Sequence, residues 1–313
     1  MIRWVHGLAQ DALPAAGCVV SIGSFDGVHR GHAAVVAKMI GAGREKGCAL
    51  LVASFEPHPR AVLAGIEVPR LTDLKQRAHL LEELGVGVFV ALQFDKKMAQ
   101  MTPEVFVEEI LVNQLKANAV VVGHDHRFGK GRAGDVTLLR EMGSRLGFDV
   151  HEIKAHEMGD SPVSSSRIRR ALSAGAVTEA ADMLGRPYDV SGTVIKGAGR
   201  GHQIGVPTAN LEPLDPRRLI PASGVYAVKT WLPDAEAWLP GMMNIGKRPT
   251  FDGDGMHLEV NVIDWSGDLY GHEVRVEFVR RIRDEVKFDG KEALLKQLNL
   301  DRERCRALLR GLP

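Results

Sequence analysis

The sequence predicts two folds in tandem: a doubly wound α/β domain over residues 1–186 and a small, mainly β domain over residues 187–313, an antiparallel barrel with a terminal helix. Three observations carry this. As far as Leu184, β-rich apolar runs alternate with helical patterns; runs that are apolar on both faces and separated by helices describe a parallel sheet covered on both sides. From "RPYDVSG", residues 186–192, helices give way to short alternating runs between Gly, Pro and Asp turns, the pattern of an antiparallel sheet closing on itself. A chain of 313 residues also exceeds the usual size of one hydrophobic core.

In order, "CVVSIGSF" predicts the first strand and is followed by a helix from about Gly31 to Ala42. "CALLVASF" is the second strand, and the next helix opens at Asp73 with Gln76 at capping-box spacing. "VGVFVALQF" leads to a helix whose Thr102 and Pro103 suit the cap and first turn. "ANAVVVGHD", a helix over Val136 to Leu146 and "FDVHEI" complete the alternation, and "SSSRIRRALSAG" and "TEAADMLG" read as two further helices. The barrel strands are "GVYAVKTWL", "GMMNIG", "HLEVNVIDW" and "EVRVEFVRRI", and an amphipathic helix over Lys291 to Leu309 is expected to pack across them.

Composition narrows the function classes. With 45% hydrophobic and 25% charged residues the chain is of ordinary globular type. It carries 22 Lys and Arg against 21 Asp and Glu as far as Arg186, and 18 against 18 beyond. Neither half has the basic excess of a nucleic-acid binder, so small phosphate ligands fit better than a polyanion. Cys18, Cys48 and Cys305 are odd in number and show no CxxC, which predicts core residues in a reducing cytoplasm rather than disulfides or a zinc ribbon. No run approaches the roughly 18 apolar residues of a membrane span, and none reads as a signal peptide. No membrane or nucleic-acid partner is therefore expected, and the oligomeric state is not specified.

Sheets of this kind bind ligands outside the carboxyl ends of their strands. "GSFDGVHRGH" (23–32), "EPHP" (56–59) and "GHDHRFGKGRAG" (123–134) all fall there. His29, Arg30 and His32 stand at a helix N-terminus, where the macrodipole disfavours cations. Basic side chains beside Gly23, Gly27 and Gly31 make sense around an anion, with a metal pair and a capping role as alternatives. In "SSSRIRR" (164–170), Arg167, Arg169 and Arg170 again crowd a helix start, beside serine hydroxyls able to hold polyphosphate.

Beyond residue 186, "GMMNIGKRPT" (241–250) approaches a P-loop, but Arg248 replaces the required Ser or Thr and no helix follows. "GVPTANLE" (205–212) offers the neutral oxygens of Thr208 and Asn210, suited to a hard cation shared with phosphates, or equally to a turn with an Asn cap. Glu259 is a carboxylate in a largely apolar strand, solvated or a general base.

Taken in order, these motifs resemble a known family. "GSFDGVHRGH" resembles the HxGH signature of the nucleotidyltransferase superfamily and "SSSRIRR" its second phosphate element. With "SFEPHP" and "VVGHDHRFG", residues 18–187 look like the FMN adenylyltransferase domain of the bacterial bifunctional riboflavin kinase/FAD synthetases. "GTVIKGAGRGHQIGVPTANL", "NIGKRPTF", "LEVNVIDW" and "RIRDEVKF" look like the riboflavin kinase barrel that follows it, over residues 186 to about 304.

The resemblance implies phosphorylation of riboflavin to FMN and adenylylation of FMN to FAD, each with ATP and Mg²⁺. It implies ATP binding by Gly23, Phe25, Asp26, Gly27, His29 and His32, with Ser165, Ser166 and Arg169 on the phosphates and Asp125 and Arg127 beside FMN. In the kinase it implies ATP contacts from Gly197, Thr208 and Asn210, the last two also holding Mg²⁺, and Glu259 as the base. The chain departs from the family at His126 (usually Phe), Ser166 (usually Thr), Asn261 (usually His) and Trp265 (usually Phe). An adenylyltransferase for another phosphate acceptor and a non-catalytic flavin-binding regulator are the rival expectations.

Overall fold

The computed structural model describes residues 2–6, 13–154, 156–158, 161–196, 207–250 and 253–311. The chain divides by packing into two compact units, Met1–Ser165 and Ser166–Pro313.

The first unit is built on a six-stranded sheet. Its strands are β1 (Arg3–His6), β2 (Cys18–Ile22), β3 (Ala49–Glu56), β4 (Val88–Gln93), β5 (Ala117–Gly123) and β6 (Asp149–Ile153), and a separate antiparallel pair, β7 (Glu157–Met158) and β8 (Ser161–Pro162), follows in the chain. The spatial order in the sheet is β1-β4-β3-β2-β5-β6 and every pairing in it is parallel. β1 is an edge strand that the sequence did not signal, four residues being too few to establish a period.

Helix α1 spans Arg30–Lys46, α2 Pro59–Ala64, α3 Leu74–Glu83, α4 Lys96–Ala99, α5 Pro103–Val105 and α6 Val136–Leu146. α1 is four residues longer at its C-terminal end than expected, and closes where Gly47 takes a left-handed conformation. α5, capped by Thr102, continues as a π-helical segment over Phe106–Gln114. Its Phe106, Val107, Ile110 and Leu111 are buried against the sheet.

Alternate residues of β2 serve opposite faces. Cys18, Val20 and Ile22 pack in a cluster with Ile110, Leu111, Leu139 and Met142, while Val19 packs with Val36, Met39, Ala78 and Leu81. The sheet is thus covered on both sides, as doubly wound folds require.

α7 (Ser165–Ser173), whose first residue ends the first unit, and α8 (Val177–Leu184) precede a closed barrel in the second unit. Its strands are β9 (Tyr188–Ile195), β10 (Ala209–Pro213), β11 (Gly224–Leu232), β12 (Ala237–Thr250), β13 (Gly253–Val262) and β14 (Glu273–Arg283). All pairings are antiparallel, in the order β10-β13-β12-β11-β14-β9, and β9 closes on β10. The pattern change at 186–192 marks the first barrel strand, but α8 packs on β9 and β14 and the Ala222 N–H donates to the Leu172 carbonyl, so both helices belong by packing with the barrel.

Phe278 meets Tyr226 edge-on at 5.4 Å inside the barrel. Both buried tyrosines donate to backbone, Tyr188 to Leu219 O and Tyr226 to Ala222 O. The C-terminal helix, Lys291–Leu309, lays Cys305 and Leu309 on Val225, Ala227 and Met242. All three cysteines are free, and burial pushes the Cys18 and Cys305 thiols up to about 11 and about 12, which makes them unreactive packing groups. Among the described residues no helix is long and apolar enough to cross a membrane.

Candidate active sites

α1 begins at Arg30, and His29 is its N-cap. His29 Nδ1 accepts from the His32 N–H at 3.4 Å and His32 Nδ1 accepts from the His29 N–H at 3.3 Å, a capping box made of two imidazoles. The rings stack with centroids 3.7 Å apart, and Phe25 lies 4.7 Å from the His32 ring. A nitrogen that accepts an N–H carries no proton, so each imidazole is neutral with its proton on Nε2.

This changes the electrostatic picture. The helix end is not crowded by three cations, because two of the basic groups are neutral caps. Capping and anion binding, alternatives in the sequence, are compatible, because the cap uses Nδ1 and leaves the Nε2 donor of each ring for other partners.

The loop that presents these rings is strained. Phe25 and Val28 have φ of 45° and 38°, and Gly27 has 86°; the left-handed region is costly for a β-branched residue and easy for glycine. Gly31 is required for a different reason, since a Cβ there would stand 3.1 Å from His29 Cε1 and Nδ1. Gly23 closes β2 by donating its N–H to Ala53 O at 3.0 Å.

Asp26 is 3% exposed and turns inward. Its carboxylate accepts from the Leu71 and Thr72 N–H groups, from the Thr72 hydroxyl and from Arg77. The Arg77 guanidinium, 4% exposed, also donates to Ser24 O at 2.9 Å, Ser54 Oγ at 2.8 Å and Thr72 O at 3.1 Å. Burial pulls the Arg77 pKa down and Asp26 draws it back up. Asp26, grouped with the ATP contacts by resemblance, thus spends its carboxylate holding the loop from below.

Sequence analysis missed Arg77, though a signal exists. Leu74, Ala78 and Leu81 form the inward stripe of α3, and Arg77 stands on it three residues after Leu74.

Ser165 Oγ donates to Asp26 O at 2.8 Å, so within the first unit the start of the serine–arginine run meets the loop of residues 23–29. Ser166 is exposed and Arg169 half-buried on α7, in the second unit, where Arg167 pairs with Glu179 at 3.5 Å. Asp125 and Arg127 are exposed on the loop after β5. Arg127 pairs with Asp135 at 2.9 Å, and the Leu138 N–H and Arg127 together hold the Asp135 carboxyl below its usual range.

The unusual His126 stacks on Phe128 at 5.8 Å, and burial pushes its pKa down to about 4. It serves there as a neutral aromatic ring. In "EPHP", Glu56 pairs with Arg70 and His58 caps α2 by accepting from the Arg60 N–H.

In the barrel, register makes the second site. Asn210 on β10 is paired with Glu259 on β13, which is paired in turn with Asn244 on β12, so three polar residues share one rung. Asn210 is 8% exposed. Thr208, two residues before Asn210, precedes the same strand. Asn261, two beyond Glu259, donates Nδ2 to Pro207 O at 2.7 Å and so ties down the segment leading into Thr208. Its Oδ1 is buried without a hydrogen-bond partner among the described residues.

Next to this rung is a cavity of about 360 Å³ whose lining includes Thr208, Val194, Val262, Trp265 and Tyr270. The P-loop-like run lies within β12, as its missing Ser or Thr implied. Gly197 falls outside the described residues. The donors fit Mg²⁺ of the kind shared with substrate, because neutral Thr and Asn oxygens leave coordination positions for phosphate. Among the described residues there is no cluster of three or more His, Cys, Asp or Glu that would form an all-protein cage.

Two family models match these two regions: FAD synthetase over residues 12–167 and riboflavin kinase over residues 184–309. The Escherichia coli K12 bifunctional riboflavin kinase/FMN adenylyltransferase is 39% identical over 302 residues, 96% of this chain and 95% of its own. The chain belongs to the bifunctional riboflavin kinase/FMN adenylyltransferase family. The Pseudomonas fluorescens member of this family is 38% identical over 98% of this chain and 97% of its own. A Streptococcus pneumoniae crystal structure, described as a macrolide-efflux protein, is 32% identical with a TM-score of 0.89 over 97% of this chain and 99% of its own. The family fold therefore extends over both units.

Proposed function

We propose that the protein phosphorylates riboflavin to FMN in the barrel unit and adenylylates FMN to FAD from the parallel-sheet unit, using ATP in both reactions. The observation that carries this reading is that each matched family region contains its own polar constellation, the Asn210–Glu259–Asn244 rung in one and the His29–His32 cap in the other.

In the kinase, Glu259 takes the proton of the ribityl 5′-hydroxyl as that oxygen attacks the γ-phosphorus of ATP, the bond to the β–γ bridging oxygen breaks and ADP leaves. An alcohol is a poor nucleophile at neutral pH, so a positioned carboxylate supplies the driving force. Thr208 and Asn210 face the ATP phosphates. Thr208 and Asn210 would hold Mg²⁺, which would supply charge neutralisation for the transferred phosphoryl group. Trp265, Tyr270 and the valines of the cavity give an apolar bed for a planar ring.

In the adenylyltransferase no enzyme nucleophile is needed, because the FMN phosphate attacks the α-phosphorus and pyrophosphate leaves. His29 and His32 donate from Nε2 to the phosphate oxygens on which charge accumulates. Ser165 contributes its hydroxyl to the polyphosphate, and Asp125 and Arg127 stand on the FMN side. The free thiols fit action in the cytoplasm, where ATP is made.

The test is product analysis. Purified protein incubated with riboflavin, ATP and Mg²⁺ yields FMN and then FAD; folded protein yielding neither overturns the proposal. FAD from FMN without any FMN from riboflavin would reduce the barrel to a scaffold.

A further inference from the structure

We propose that Arg77 is a positioning residue for FAD formation, acting from beneath the loop of residues 23–29 to hold the backbone that presents His29 and His32. The inference rests on the assignment of that loop to ATP.

Three segments meet at the Arg77 guanidinium. It donates to Ser24 O and to the Asp26 carboxylate on the loop, to Ser54 Oγ on β3, and to Thr72 O before α3. A planar fork with several donors in fixed directions is suited to clamping such a set, whereas an ammonium is a single point charge. The Thr72 hydroxyl adds a further tie, accepting from the Gly27 N–H at 3.0 Å while donating to Asp26.

The clamp acts where the backbone needs it. Phe25, Gly27 and Val28 are held at positive φ, and such conformations persist only where surrounding contacts over-determine them. The chain then reaches His29, whose Nδ1 caps the helix and whose tautomer follows from that cap. Asp26 is gripped at both ends, its carboxylate by Arg77 and its carbonyl by Ser165. The apolar packing of α3 is supplied by its neighbours Ala78 and Leu81. Arg77 therefore acts through the loop and touches no substrate.

The experiment compares Arg77→Met and Arg77→Lys with wild type in the full-length protein. FAD formation from FMN and FMN formation from riboflavin are measured on the same preparations, with kcat and KM for ATP separated. Misplacing a catalytic group by about 1 Å costs on the order of 100-fold. Arg77→Met is expected to lower kcat for FAD by roughly 10- to 100-fold, with Arg77→Lys in between and FMN formation within about twofold.

Histidine-selective ¹⁵N NMR provides a readout independent of activity. Wild type gives two rings fixed as Nε2–H tautomers, and Arg77→Met gives mixed tautomers at those positions. Folded Arg77→Met with wild-type FAD kinetics and unchanged tautomers overturns the proposal. If that variant does not fold, Ser54→Ala, which removes one acceptor of the fork, is read in the same way. Wild type that makes no FAD refutes the functional assignment, and the tautomer comparison still decides the role of Arg77.

Discussion

The hydroxyl of Ser165 donates a 2.8 Å hydrogen bond to the carbonyl oxygen of Asp26, across 139 residues of sequence. It fixes the first residue of α7 against the loop that carries His29 and His32. Ser165→Ala leaves that carbonyl without its hydroxyl partner, which costs about 1 kcal/mol of stability. FAD formation should fall severalfold while FMN formation is unchanged, measured by product analysis alongside a denaturant curve.

Glu259 stands in register with Asn210 and Asn244. Glu259→Gln keeps the shape of the rung and removes the proposed base, and a general base contributes roughly 10²- to 10⁴-fold. FMN formation from riboflavin should fall by that factor, and FAD formation from supplied FMN should persist. Equal loss of both activities from a folded variant would contradict separate sites.

Two glycines of α1 provide a matched pair. A Cβ at Gly31 would stand 3.1 Å from the His29 ring and 3.6 Å from Val163 O, whereas one at Gly41 meets nothing within 4 Å. Gly31→Ala should displace the imidazole and suppress FAD formation. Gly41→Ala should raise stability by up to about 1 kcal/mol through helix propensity with both activities intact. Thermal melts and FAD assays on the two variants separate these effects.

The His126 pKa is lowered from 6.5 to about 4 by burial. The unfolded chain therefore binds this proton first as pH falls. Stability is lost progressively between about pH 6.5 and pH 4, and no such penalty operates above that window. His126→Phe keeps a ring against Phe128 and removes the titration, so melting temperatures of the two proteins should diverge as pH falls through this range. Parallel curves would show that His126 protonates freely in the folded state.

Much of the site was legible because its chemistry is local. The glycines, paired histidines and serine–arginine run are contiguous stretches, and the places of residues 23–32, 56–59 and 123–134 after strands follow from hydrophobic period. Arg77 was legible at most as an arginine on the apolar stripe of α3; that Asp26 meets its charge joins residues 51 apart and needed the fold. The neutral state of His29 and His32 was also out of reach, since it depends on which nitrogen meets which backbone N–H. Asn261 stood out only as a departure; its bond to Pro207 O spans 54 residues and needs β13 to lie where it does.

The sequence by itself determined the parallel sheet covered on both faces, the barrel that follows it, and the order of the glycine–histidine and serine–arginine motifs. Each of these is set by periodicity, turn residues and residue type within a few neighbouring positions. Only the tertiary structure decided that Asp26 points inward to Arg77, that Ser165 meets the Asp26 carbonyl, that Glu259 shares a rung with Asn210 and Asn244, and that α8 packs on β9 and β14. Those relationships join residues far apart in the chain, and strand register and the need to satisfy buried charge select them when the chain closes.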